Sequence, residues 1–103
     1  MTNTVPPAYL IGNFSVINPE KMSEYVQQAL PLVKEYGGQA LVSDQKLSPV
    51  EGKAKNILVV ISFPSLEQAQ SFYHCDAYAP LKQLRIEATE GGFTSISEGL
   101  PLA

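Results

Sequence analysis

Residues 56–63, "NILVVISF", decide how this chain folds. Ile57, Val59, Ile61 and Phe63 alternate with Leu58, Val60 and Ser62, so a strand here turns a mostly apolar set to each side of a sheet. Such strands are covered on both faces. The cover comes from the neighbouring elements or from a second molecule.

Downstream, Ser65 opens a helix with a capping box: its hydroxyl accepts from the N–H of Gln68, Gln68 reaches back, and Ala69, Phe72 and Tyr73 follow. That helix is expected to stop near His74. Asp76 then caps a further helical stretch with Tyr78, Leu81, Leu84, Arg85 and Ala88 on one face, and "GGFTSISEG" (91–99) supplies the last strand. Upstream, "QALVS" (39–43) and "LSPVEG" (47–52) are short strand candidates around the turn "DQK", with Pro49 marking the second as an edge or an irregular ribbon.

A longer helix precedes them, with Asn18 as N-cap and Pro19 at its first position. Met22, Tyr25, Val26, Ala29, Val33 and Tyr36 form its buried stripe, Pro31 predicts a kink in its last turns, and Gly37-Gly38 ends it. The first strand starts near Ala8. Leu10, Gly12, Phe14 and Val16 share one side of it, and Tyr9, Ile11, Asn13 and Ser15 the other.

This order of elements spells a ferredoxin-like α+β sandwich, an antiparallel four-stranded sheet with its helices on one face. Right-handed crossovers place the helical segments together. The opposite face then carries the second apolar set of the central strand with no helix above it, and a monomer rarely leaves more than roughly a few hundred Å² of apolar patch wet. A homodimer through the helix-free sheet face is therefore predicted.

The chain has 103 residues, 45% of them hydrophobic and 17% charged, which suits one domain over residues 8–103 behind a flexible tail over residues 1–7. Its net charge of -3 and seven scattered Lys and Arg give no electrostatic footprint for a nucleic-acid partner. The longest apolar run, "ILVVI", is far short of the roughly 20 residues that span a bilayer, so no membrane partner is expected. One cysteine permits no internal disulfide, and the N-terminal stretch has neither a basic start nor an apolar core, so a cytoplasmic location is expected.

Several stretches resemble a known family: "AYLIGNFSVINPE", "YGGQALV", "VEG", "VVISFPSLEQAQSFYHCDAY", "APLKQLRIEA" and the closing "SEG". The most specific is the turn Phe63-Pro64-Ser65 into a helix that carries Phe72-Tyr73, with Tyr78 beyond it. Together they are similar to domain of unknown function 1330, of the dimeric α/β-barrel superfamily, from about Ala8 to Gly99. The resemblance implies a ferredoxin-like fold and a dimer, and no settled activity. Related barrel families include cofactor-free monooxygenases and small isomerase-like enzymes with a pocket between sheet and helices. Gln39, Ala40, Asp44-Gln45 and His74-Cys75 depart from the family pattern.

For chemistry, His74 is the one side chain that titrates near neutrality without help, and Arg85 stands on an otherwise apolar helical face. The pair is the candidate catalytic set, His74 handling a proton and Arg85 holding an oxygen-rich group. Adjacent residues point in different directions, so Cys75 reads as part of a helix joint and not as a nucleophile activated by His74. Tyr9, Asn13, Ser62, Tyr73 and Tyr78 are candidate ligand-binding residues, Tyr25 adding a further hydroxyl; the competing reading is packing with one satisfied hydroxyl.

One His, one Cys and dispersed carboxylates do not supply the usual three or four metal ligands from one chain, and Gly37-Gly38 follows a helix instead of opening one, against a nucleotide-binding loop. No cofactor is expected. Three functions remain open: a dimer that binds a small, partly apolar molecule between sheet and helices, a cofactor-independent enzyme, and a structural or regulatory dimer with no ligand.

Overall fold

The computed structural model describes residues 5–101. The elements run β1 (Ala8–Val16), α1 (Pro19–Glu35), β2 (Gln39–Asp44), β3 (Ile57–Phe63), α2 (Leu66–His74), α3 (Ala79–Ala88) and β4 (Thr89–Glu98). The sheet has four strands in the order β2-β3-β1-β4, every neighbouring pair antiparallel. This is the expected ferredoxin-like arrangement. Part of the proposed flexible tail lies outside the described residues, and its last residue is tied down: the N–H of Gly99 donates to the carbonyl of Pro7 at 2.7 Å. No helix among the described residues is long and apolar enough to cross a membrane.

Local chemistry explains most boundaries. Asn18 accepts from the N–H of Lys21 at 3.1 Å and Ser65 from that of Gln68 at 3.1 Å, each satisfying a donor that the first helical turn leaves free. Gly37, at φ +80°, ends α1 in the left-handed conformation that glycine adopts without strain. α1 runs through Pro31 to Glu35.

Two expectations are corrected. "LSPVEG" forms no strand: residues 45–56 are a loop, because Pro49 cannot donate to a ladder and only Leu47 N–H to Asn56 O (2.8 Å) bridges its ends by backbone. Asp76 is not a side-chain cap either. It lies in the turn between α2 and α3, where its backbone carbonyl accepts from Ala79, and α3 starts after Tyr78 without a side-chain cap.

Cross-strand pairing of Leu10 with Ile61 and of Gly12 with Val59 puts these residues on the helix side of the sheet. Tyr9 with Ser62, Ile11 with Val60 and Asn13 with Leu58 then face away from the helices. The core gathers Ala8, Leu10, Ala29, Val33, Phe63, Ala69, Phe72, Tyr78 and Leu81 between the sheet and the helices. Phe72 stands at its centre. Its ring centroid is 5.3 Å from that of Phe63 and 4.6 Å from that of Tyr78, contacts worth about 0.5–1.5 kcal/mol each beyond area burial.

β4 enters the sheet through Gly91 and Gly92, both at positive φ, beside an irregularity in the β1–β4 register between Asn13 and Ser15. A side chain on Gly92 would collide with the backbone carbonyl of Asn13, whereas one on Gly52, also at positive φ, would meet open space. Gly52→Ala should therefore cost about 1–2 kcal/mol of conformational strain. Gly92→Ala should cost at least about twice that, since backbone must also move. Urea unfolding of the two variants checks this, and equal losses would contradict the crowding at β4.

Candidate functional site

α1 is held at both ends and stands away from the sheet between them. At its start the N–H groups of Ile17 and Asn18 both donate to Ala88 O (2.8 and 3.2 Å), and Lys21 pairs with Glu87 of α3 at 2.6 Å. Toward its end Ala29 and Val33 are buried in the core. Between helix and sheet lies an open cavity of about 830 Å³. Met22, Val26 and Leu30 of α1 form one wall; Leu10, Gly12, Phe14, Val59 and Ile61 of the sheet form the other. At the floor, a side chain on Gly12 would press on the Phe14 ring, 3.2 Å from where its Cβ would lie.

The polar groups of the cavity include a cluster brought together from three elements. Tyr25 of α1 and Tyr78 before α3 share a hydrogen bond of 2.7 Å between their hydroxyls, with rings edge to face. Arg85 of α3 lines the same space beside Tyr78 and donates from Nη1 to Thr94 Oγ1 of β4 at 3.3 Å. Its Nε is buried and has no partner among the described residues. Tyr78 is 1% exposed and wedged among Phe72, Tyr73 and Tyr25, so its hydroxyl has little freedom to leave this position.

Electrostatics follow from burial. Desolvation, reinforced by the Tyr78 hydroxyl, pushes the Tyr25 phenol far above its ordinary value and keeps it protonated. At Arg85 burial opposes the charge, but the adjacent Tyr78, Tyr25 and Tyr73 phenols favour it and the balance raises its pKa. Arg85 is thus a permanent cation beside the neutral Tyr25 hydroxyl.

Of the residues singled out from the sequence, the structure brings Tyr25, Tyr78 and Arg85 into this cavity and places the others elsewhere. Tyr9, Asn13 and Ser62 are on the helix-free face, since the strand alternation that puts Leu10 and Gly12 inward turns them outward. Asn13 is 5% exposed, and its amide serves the backbone: it donates to Lys55 O and Ile57 O at 3.0 and 2.8 Å and accepts from Lys55 N–H at 3.0 Å. Ser62 Oγ donates to Gln39 O at 3.3 Å. Tyr73 and His74, their rings edge to face, border a second, shallower cleft of about 320 Å³ between α2 and β4, which adjoins the larger cavity at Leu10 and Thr94. His74 and Arg85 therefore do not line one common space. Thr94 and Gly12 escaped sequence reasoning, although a glycine within a strand is itself a signal of close approach.

Residues 7–99 match the family model described as Domain of unknown function (DUF1330). This chain belongs to the DUF1330 family. Its structure is similar to that of a protein of unknown function from Rhodopseudomonas palustris, with a TM-score of 0.76 at 14% identity, covering 92% of this chain and 83% of the other. It also resembles a candidate antibiotic biosynthesis monooxygenase from Caulobacter crescentus (TM-score 0.57, 16% identity, 94% and 92% covered). A protein from Bacteroides fragilis, described as dimeric, of unknown function and ferredoxin-like in fold, aligns with a TM-score of 0.54 at 13% identity over 93% and 99% of the two chains. None of the curated proteins matches the chain. At these identities the likeness to solved structures concerns the fold, which this DUF1330 member shares with them.

The part-buried hydroxyl pair makes a testable statement about pH. The folded pKa of Tyr25 lies above its unfolded value of about 10, so the stability it contributes is intact below about pH 10 and declines as the pH rises further. Alkaline titration followed by tyrosinate absorbance should show phenol ionisation that appears only as the protein unfolds, and Tyr25→Phe should lower the amplitude of that step. Reversible ionisation of all five tyrosines in the native state near pH 10 would contradict the burial.

Proposed function

We propose that the protein is a homodimer that binds a small, largely apolar molecule between α1 and the sheet. The observation that carries this reading is the cavity of about 830 Å³, with apolar walls and a few convergent polar groups. Small-molecule sites have this character, at roughly 300–1,000 Å³. A dimer with a filled interior would have no such space. The lone Cys75, with no disulfide to make, suits work in a reducing cytoplasm.

A cofactor-independent enzyme that uses His74 and Arg85 on one substrate has less support, because the two residues border different spaces. In the larger cavity the groups able to donate a proton include the Tyr25, Tyr78 and Thr94 hydroxyls. The similarity to a candidate monooxygenase is one of fold and adds no chemistry.

The dimer is supported by the helix-free face, where Ile11, Leu58 and Val60 form a contiguous apolar patch of half-buried side chains with no helix above it. A second copy is the self-complementary cover for such a face, and the structurally similar Bacteroides fragilis protein is described as dimeric.

Two measurements test the reading. The neutral dye N-phenyl-1-naphthylamine should brighten on binding the protein, and Val59→Phe, which fills the cavity floor, should weaken that binding by about tenfold or more. No binding, or binding unaffected by Val59→Phe, would remove the cavity as a ligand site. In sedimentation, the unmodified chain should run as a dimer at micromolar concentration and Val60→Lys, which puts a charge in the middle of the face, should run as a monomer. Monomers of the unmodified chain at that concentration would end the dimer proposal.

A further inference from the structure

The proposed ligand site has one polar end, and the chemistry of that end narrows what it can accept. Among the described residues the ion pair found is Lys21–Glu87, on the outside of the α1–α3 junction, so the Arg85 cation has no carboxylate opposite it. A guanidinium has five N–H donors and no acceptor. Of these, Nη1 donates to the neutral hydroxyl of Thr94, the Tyr78 hydroxyl also lies against the guanidinium, and Nε is covered without any partner. The guanidinium nonetheless lines the cavity with no carboxylate on it, so an acceptor that enters the cavity meets a charge-assisted donor.

The neighbouring hydroxyls point the same way. In the Tyr25–Tyr78 pair one hydroxyl donates to the other, which leaves one O–H with no acceptor in the pair. Thr94 Oγ1 accepts from Arg85 and so keeps its own proton for another partner. Burial holds the Tyr25 phenol in its neutral, proton-bearing form. This end of the cavity is thus a convergence of donors around a fixed positive charge, without a carboxylate to receive a cation.

We propose that the ligand is an amphipathic oxyanion, a carboxylate or its equivalent on an apolar body, whose charged group is held by Arg85 with the Tyr25–Tyr78 hydroxyls and Thr94, and whose body lies along Gly12, Val59 and Val26. The inference rests on the cavity being a ligand site and goes on to assign the ligand's chemical class and direction. Charge-assisted hydrogen bonds to a guanidinium are about twice as strong as neutral ones, so a carboxylate gains over a hydroxyl of the same chain length.

Calorimetric titration of the unmodified protein with decanoate and with 1-decanol, two probes of equal chain length, tests this. Decanoate should bind about tenfold or more tightly than 1-decanol, and the ratio should fall toward one in Arg85→Gln. Tyr25→Phe, which removes one of the hydroxyls while keeping the ring, should reduce the ratio by a smaller factor and serves if Arg85→Gln does not fold. A ratio near one in the unmodified protein, or a ratio undiminished in folded Arg85→Gln, overturns the oxyanion proposal and leaves the cavity as a site for neutral molecules. Failure of both probes to bind overturns the cavity reading and this inference with it.

Discussion

The packing of Phe72 between Phe63 and Tyr78 is the contact on which the rest of the architecture depends. It joins the end of β3, the last turn of α2 and the turn before α3 in one fully buried cluster. Ala29 and Val33 of α1 close over that cluster, and the start of α1 is bound to the end of α3 through Ala88. A helix secured at two places and built with side chains too small or too distant to reach the sheet between them leaves a space. The cavity is the consequence of where the aromatic cluster sits.

The same cluster sets the polar end. Because Tyr78 is locked by its ring, its hydroxyl is delivered to Tyr25 at a fixed place. Two turns further along α3, Arg85 arrives beside it, and Thr89 Oγ1 donates back to Arg85 O at 2.9 Å where the helix gives way to β4. Hydroxyls and guanidinium are thus positioned by helices and an aromatic core, elements far stiffer than the loop over residues 45–56.

On the other side of the sheet a different constraint operates. β3 is apolar in both directions, and the two crossovers can cover only one of them. Asn13 shows how this face is kept ordered without a helix: its amide binds the backbone at Lys55 and Ile57, joining β1 to the entry of β3. What looks in sequence like a polar group available to a ligand is, in space, a structural brace.

Much was legible from the chain itself. Alternation in "NILVVISF" and "AYLIGNFSV", the caps at Asn18 and Ser65 and the glycine at 37 are local signals, readable within a few residues, and they led to the strands, the two capped helices and the ferredoxin-like order. Arg85 and Tyr78 were also visible, as polar groups on a face otherwise made for a core. The strand proposed at 47–52 and the cap proposed at Asp76 were not realised, because the first depends on finding a pairing partner and the second on the direction in which the α2–α3 turn leaves. Which face each candidate residue serves, and that His74 and Arg85 border different spaces, only the tertiary structure decided. Periodicity says which residues lie on the same side of an element; it does not say which side another element will come to cover, since that is set by contacts between residues as far apart as Tyr25 and Tyr78.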